Sequence, residues 1–224
     1  MIDWAPLILT FKLAIITTAI LVMIGIPLAY WLAFTKTKLK PVLETLVSMP
    51  LVLPPTVLGF YLLVAFSPSN GFGNWLHELL GIKLIFSFGG LVLASVIYSL
   101  PFMIQPIQAG LAALPPHLKE ASYTMGKSQF TTLIKVLIPN IKPALLTGIV
   151  LSFAHTIGEF GVVLMIGGNI PGKTKVASIA IYDEVEALNY GSANMYSLIL
   201  FAITFIILLS VYLVNGGYLK KLGR

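Results

Sequence analysis

The chain has 224 residues, of which 58% are hydrophobic and 10% are charged, and its mean hydropathy is +0.95. Soluble domains carry about 25% charged residues, so this composition indicates an integral membrane protein with little soluble mass. The absence of cysteine excludes a disulfide framework, an iron–sulfur cluster and a thiolate metal site, and the widely separated histidines predict no other metal site.

The first two apolar runs are long enough to be membrane spans. Residues 7–34 exceed the about 20 helical residues that cross a hydrocarbon core. Lysines follow this run rather than precede it, which predicts that the N-terminus lies outside. Residues 42–66 form the second predicted span, in which Pro50, Pro54 and Pro55 exclude a regular helix throughout. Two interpretations stay open for this span, namely a deformable helix facing a pore and a packing kink.

Proline also interrupts the third predicted span, residues 84–111. We expect Pro101 and Pro106 to break its inner half, because proline lacks a backbone N–H and clashes with the preceding turn. Gln105 and Gln108 have amide groups that could pair with the backbone groups freed by these breaks.

Two further spans, at 143–166 and 195–214, complete a prediction of about five transmembrane helices in a single domain that covers the whole chain. The loops at 67–84 and 167–194 are placed outside, and the loop at 115–142 and the closing KKLGR are placed in the cytoplasm. Lysine and arginine concentrate in the predicted inside segments, as the positive-inside rule requires. The net charge of +6 therefore reflects orientation, and no nucleic-acid partner is predicted.

The cytoplasmic loop at 115–142 contains signals for two short helices. Two prolines open it and suit a first helical turn, and Glu120 is expected in that turn, where a carboxylate complements the helix dipole. Gly126 is a plausible left-handed stop, and Ser128 could cap a second helix that ends at Pro139.

These residues carry a resemblance to a known family. Glu120-Ala121-Ser122, Gly126 four residues later and the run VLIP ending at Pro139 resemble the EAA loop of bacterial ABC-importer permeases. Serine in the third position and valine for the usual isoleucine are small departures. The resemblance implies that residues 115–142, here called the coupling loop, dock into a cytoplasmic ATPase through Glu120, Ala121, Ser122, Gly126 and Pro139.

A second segment, residues 156–194, resembles the part of the chain that is typical of molybdate permeases. Sulfate permeases have a related GEYG version, and the form with Phe160 followed by IPGKTK and IAIYDEVEAL favours molybdate. The resemblance implies the type I ABC-importer architecture in a bacterial or archaeal cytoplasmic membrane. Tungstate and sulfate or thiosulfate are the alternative substrates.

The same resemblance implies the partners. It predicts a homodimer of this chain, two ABC ATPases in the cytoplasm and a molybdate-binding protein outside, either periplasmic or lipid-anchored. ATP and Mg would bind to the ATPases, and this chain would bind no cofactor and would not be an enzyme. An ion-coupled secondary transporter is disfavoured because no internal repeat or intramembrane relay is evident. An intramembrane enzyme is disfavoured because the spans offer no second acid beside Glu159.

One motif has to be rejected. Residues 167–174, GGNIPGKT, match the P-loop pattern letter for letter. A P-loop needs a preceding strand and a following helix so that backbone N–H groups converge on phosphates. Here an apolar membrane run precedes the motif, Pro171 removes one donor, and the predicted topology places the segment outside.

The outside loop at 167–194 contains a predicted amphipathic helix with a polar face of Asp183, Glu184 and Glu186. We interpret this helix as a docking surface for the binding protein, and the alternative is a helix that only lies on the bilayer. Its predicted apolar face consists of Ile179, Ile181, Tyr182, Val185 and Leu188.

Glu159 is a lone carboxylate within the fourth predicted span, so it should face protein or water. His155 lies one turn earlier and could pair with it. A role in packing or gating is favoured over substrate contact, because the proposed substrate is also an anion. Gly158 and Gly161 are expected to permit close helix approach.

Overall fold

The computed structural model describes residues 3–215, and every regular element in that range is a helix. The closing KKLGR lies outside the described residues. In chain order the helices are α1 (Ala5–Phe34), α2 (Lys40–Val52), α3 (Pro55–Phe66), α4 (Gly71–Leu80), α5 (Phe88–Ala112), α6 (Pro116–Thr124), α7 (Gln129–Thr132), α8 (Ile138–Asn140), α9 (Lys142–Gly158), α10 (Gly161–Gly167), α11 (Ala177–Glu186) and α12 (Tyr190–Asn215). A π-helical turn, Leu133–Leu137, joins α7 to α8.

Three of these helices, α1, α5 and α12, are long and apolar enough to cross a membrane. Two bent pairs raise the number of spans in the described range to five if each pair is counted once. In the first pair α2 and α3 meet at 112°, and in the second the segment from α7 to α8 meets α9 at 85°. The all-helical membrane fold is therefore confirmed, with five as the upper count.

The second predicted span is two helices rather than one irregular helix. Leu53, between α2 and α3, has an extended backbone with ψ 135°. It precedes Pro54, and a residue before proline is driven out of the helical region by contact with the proline ring. The prediction that this span is not a regular helix throughout is confirmed.

The third span differs from the prediction because α5 runs continuously through Pro101 and Pro106. The two glutamines do not pair with freed backbone groups. Gln105 Nε2 donates to Ser48 Oγ (3.1 Å) and Gln108 Nε2 donates to Glu44 Oε1 (2.6 Å), so both amides join α5 to α2. Packing on several sides maintains α5, since it contacts α1, α2, α9 and α10.

The fourth and fifth spans also have different bounds in the structure from those that the sequence predicts. The predicted span at 143–166 is divided, because α9 ends at Gly158 and α10 begins only at Gly161. The last span begins at Tyr190, five residues before the predicted start. The loop predicted at 167–194 is correspondingly shorter and consists mainly of α11 and its flanking turns.

Of the three buried apolar clusters among the described residues, α5 contributes to two. One joins α1 and α5 to the π-helical turn through residues such as Leu32, Ile107 and Leu137. The other joins α1 and α5 to α10, to the loop before α11 and to α11 itself, through residues such as Val162 and Ile179. A single central helix thus connects the coupling loop with the loop that contains α11.

Candidate functional site

The coupling loop begins and ends its first helix as its sequence predicts. Pro115 precedes α6 with ψ 132°, and Pro116 is the first helical residue. Two residues after the helix ends, Gly126 has φ +73°, and its N–H donates to the Tyr123 carbonyl (2.9 Å). This conformation suits glycine, so the left-handed stop is confirmed.

A buried pair of hydroxyls holds α6 against α7. Ser128 caps α7, with its Oγ 3.2 Å from the Thr131 N–H, as predicted. Thr132 Oγ1 donates to the Ser128 carbonyl, so the 2.8 Å bond between Ser122 and Thr132 has Ser122 as its donor. The serine that departs from the family pattern therefore has a structural role, because its buried hydroxyl is satisfied by Thr132.

Two details of the coupling loop correct the prediction. Glu120 is the fifth residue of α6, beyond the first turn, because the helix begins at Pro116. The second helical segment continues through Pro139 and ends at Asn140, since proline is accepted in the first turn of α8. Glu120, Ala121 and Pro139 are all exposed, as docking to a partner requires. Ser122, which was expected to dock as well, is buried and bonded to Thr132.

Glu159 lies where the chain leaves helical geometry between α9 and α10, with φ −67° and ψ 132°. Its side chain is 4% exposed. Ser95 Oγ donates to Oε2 (2.8 Å), while Oε1 has no hydrogen-bond partner among the described residues. Ser178 Oγ, on α11, donates to the Glu159 carbonyl (2.6 Å). One residue thus connects α5, the α9–α10 break and α11.

His155 does not pair with Glu159, so that prediction is wrong. The i, i+4 pairing requires a continuous helix, and α9 ends at Gly158. His155 Nδ1 instead lies 2.9 Å from Ser99 Oγ, and the imidazole stacks on Phe102 with ring centroids 4.1 Å apart. Because Thr156 donates to a backbone carbonyl, Ser99 donates to Thr156 and accepts from His155 Nδ1–H.

The two glycines near Glu159, Gly158 and Gly161, differ in their surroundings. A Cβ built on Gly161 would lie 2.8 Å from Pro55 Cβ, so the α9–α10 break packs directly on the α2–α3 break. A Cβ on Gly158 would meet open space, so the prediction of close approach holds for Gly161 and is wrong for Gly158. A cavity of about 440 Å³ lies beside this contact. It is lined by Pro55, Thr56, Tyr98, Ala154, His155, Gly158, Phe160 and Gly161.

The carboxylates of α11 form bonds within the loop that contains this helix. Asp183 forms an ion pair with Lys175 (2.5 Å) and accepts from Asn169 Nδ2 (2.8 Å). Glu184 accepts from Asn189 Nδ2 (2.7 Å). Glu186 accepts from the Tyr182 hydroxyl, and this bond raises the pKa of Tyr182 above its ordinary value. These bonds order the loop and leave the acids at its surface.

The predicted apolar face of α11 is not a single face. Ile179 is fully buried in the cluster with α10, whereas Tyr182 and Val185 are 41% exposed. Leu188 lies beyond the helix end, has φ +58° and is 72% exposed. Ile179 and Val185 are six residues apart, so an α-helix directs them to different sides.

In the P-loop-like segment, backbone N–H groups bond to an oxygen of the segment itself. The N–H groups of Lys173, Thr174 and Lys175 all point to the Ile170 carbonyl at 2.9–3.1 Å. The buried Thr174 hydroxyl donates to the Gly167 carbonyl (2.8 Å). The segment follows α10 rather than a strand, so its geometry agrees with the rejection of a phosphate-binding loop.

Several polar partners were not predicted. Ser95 and Ser99 are buried one turn apart on α5, facing the region of Glu159 and His155, and Ser178 approaches from α11. Their signal in the sequence is weak, since short hydroxyl side chains are common in apolar helices. The i, i+4 spacing of Ser95 and Ser99 would have placed both on one face.

Comparison with known proteins gives the same family throughout. Residues 25–219 match the model of the binding-protein-dependent transport system inner membrane component. The chain is 45% identical, over 94% of its length and 93% of the relative's, to the molybdenum transport system permease protein ModB of Azotobacter vinelandii. It is 33% identical, over 92% and 90%, to a putative molybdenum transport system permease protein of Bacillus subtilis. The sulfate transport system permease protein CysT of Escherichia coli is 30% identical over 88% and 71%.

Solved structures share the fold. A bacterial ABC transporter that imports the acidic polysaccharide alginate aligns with a TM-score of 0.74 at 16% identity, covering 93% of this chain and 78% of that one. The methionine ABC transporter MetNI, in inward-facing conformations, aligns with a TM-score of 0.73 at 17% identity, covering 95% and 94%. The chain belongs to the binding-protein-dependent inner membrane components and is a permease subunit of an ABC importer, not an enzyme.

Proposed function

We propose that this permease carries molybdate across the cytoplasmic membrane of a bacterium or archaeon. The observation that carries the proposal is the similarity to the molybdenum permease of A. vinelandii, which is higher than that to the sulfate permease of E. coli. The segment from Phe160 to the end of α11, which has the molybdate-type pattern, supports it. Tungstate, sulfate and thiosulfate are the competing substrates.

We propose that the N-terminus lies outside and the coupling loop inside, with two copies of the chain bound to two ATPases that hold ATP and Mg. The exposed Glu120 and Ala121 support docking to an ATPase. Only 6% of the apolar window of α12 is buried within the chain, so most of its surface is left for lipid or the second copy. A bound molybdate-binding protein, periplasmic or lipid-anchored, would deliver the anion from outside.

The acidic side of α11 is proposed as the docking surface for that binding protein. Asp183 holds the loop through Lys175 and Asn169, so its role is to position the surface. Among the described residues, the bonds of Glu184 and Glu186 are to neutral neighbours in the loop, so their charge stays available to a basic patch of a partner. Contact with the bilayer surface is the alternative for this helix.

Transport would follow from movement at the two helix breaks. Closure of the ATPases would bring the coupling loops together, and the contact of Gly161 with Pro55 would shift because both lie at interruptions in their spans. Glu159 would act beside the path by holding the break to α5 and α11. Its side chain is buried and bonded to Ser95, so direct contact with the substrate is not proposed.

The test is uptake by the permease reconstituted with its ATPase and binding protein in vesicles. We expect uptake of labelled molybdate only when ATP is supplied, with competition by excess tungstate and at most weak competition by sulfate. Tungstate resembles molybdate closely in size and charge, whereas sulfate is smaller. Uptake without ATP would indicate a secondary transporter, and stronger competition by sulfate than by tungstate would contradict the proposed substrate.

A further inference from the structure

The ammonium group of Lys119, on α6, lies among three aromatic rings. Its Nζ is 3.9 Å from the centroid of the Phe34 ring, 5.4 Å from that of Tyr30 and 5.8 Å from that of Tyr123. All three distances lie within the about 6 Å over which an aromatic face attracts a cation. Tyr30 and Phe34 come from the last turns of α1, so the rings join α6 to the end of that helix.

The rings also contact one another. Tyr30 and Phe34 pack edge to face with centroids 5.1 Å apart, and the hydroxyls of Tyr30 and Tyr123 lie 3.3 Å apart. Tyr123 lies one turn after Lys119 on the same side of α6. We call Lys119 and these three rings the lysine cage.

Lys119 lies where its positive charge needs a stabilising partner such as these rings. It is the fourth residue of α6, near the positive end of the helix dipole, where a cation is disfavoured. Within the described part of the chain it forms no ion pair with a carboxylate. The rings are therefore what holds the half-buried lysine in place.

Through the cage, α6 is held on two sides. The buried hydroxyl bond from Ser122 to Thr132 attaches it to α7 and the π-helical turn. The lysine cage attaches it to α1, which in turn packs along α5. A push on the exposed Glu120 and Ala121 would therefore reach both attachments.

We propose that Lys119 is a positioning residue that makes α1 move with the coupling loop when the ATPases close. The proposal rests on the proposed function, and it adds a specific route from the loop to the first span. Without the cation, the ATPase would still bind α6 and hydrolyse ATP, because Glu120 and Ala121 lie on the exposed surface. The movement would then reach the membrane helices without the direct attachment of α6 to α1.

The test compares molybdate uptake with ATP hydrolysis in the same vesicles. We expect Lys119→Met to lower the molybdate moved per ATP by about fivefold, a size that one cation–π contact can supply. Lys119→Arg should stay within about twofold of the wild type, because guanidinium also binds aromatic faces. Lys38→Met, at an exposed lysine between α1 and α2 and outside the coupling loop, is the matched control and should change nothing.

A second set of variants distinguishes loss of the lysine cage from a general loss of stability. Phe34→Leu should reproduce the Lys119→Met defect, and the two changes together should be no worse than either alone, because both remove one interaction. The role of Lys119 would be overturned if Lys119→Met moved as much molybdate per ATP as the wild type. It would also be overturned if the losses of the two single variants multiplied in the double variant. If the wild type carries another oxyanion instead, the proposed substrate is wrong. The amount of that oxyanion moved per ATP in the same variants then still tests the role of Lys119.

Discussion

Replacing Gly126 with proline should abolish most transport while the protein still inserts into the membrane. Gly126 has φ +73°, which proline, fixed near −65°, cannot adopt. Proline also removes the N–H that donates to the Tyr123 carbonyl. Together these losses disfavour the observed turn by roughly 2–3 kcal/mol, so we expect at least about a tenfold fall in molybdate uptake.

Gly126→Asn is the matched control for that experiment. A Cβ at this position meets open space, and asparagine tolerates the left-handed conformation better than other residues with side chains. We expect uptake within about twofold of the wild type, since only a small backbone cost remains. Equal uptake by the proline variant and the wild type, measured with ATP hydrolysis in the same vesicles, would show that the turn does not matter for coupling.

Adding one methyl group at Gly161 should separate the two helix breaks. The new Cβ would lie 2.8 Å from Pro55 Cβ, closer than carbon atoms pack, and the proline ring cannot rotate away. Overpacking of this kind costs about 1–3 kcal/mol, so Gly161→Ala should lower the thermal unfolding midpoint by several degrees and reduce uptake. Gly161→Val should be worse, because it adds more volume at the same contact.

Gly158→Ala tests whether the position, rather than the loss of glycine, causes the effect. It adds the same methyl group three residues earlier, where the structure has open space. We expect an unchanged unfolding midpoint and normal uptake. If the alanines at 158 and 161 behave alike, the direct packing of one break on the other is not important for transport.

Hydropathy and local chemistry were sufficient for much of the fold. The apolar runs predicted the long helices, and the left-handed Gly126 and the cap at Ser128 followed from the preferences of single residues. The prolines at 54 and 55 predicted an irregular second span, although the 112° angle depends on how α3 packs against α10.

The remaining features depend on contacts between distant parts of the chain. Pro101 and Pro106 were predicted to break α5, but the helices around it keep it continuous. The partner of Glu159 is Ser95, which lies 64 residues away in the sequence. A local rule suggested His155 instead, because the end of α9 at Gly158 has no strong signal in an apolar run.

Thiol labelling tests directly whether the coupling loop lies in the cytoplasm and the loop after α10 lies outside. The chain has no cysteine, so single thiols can be introduced without background. The exposed positions Lys127 and Lys173 suit Lys127→Cys and Lys173→Cys. A thiol reagent that cannot cross membranes should label the thiol at position 173 in intact cells or spheroplasts, and the one at 127 only after the membrane is opened. Labelling of position 127 from outside would exclude coupling through this loop, because no cytoplasmic ATPase could then reach it.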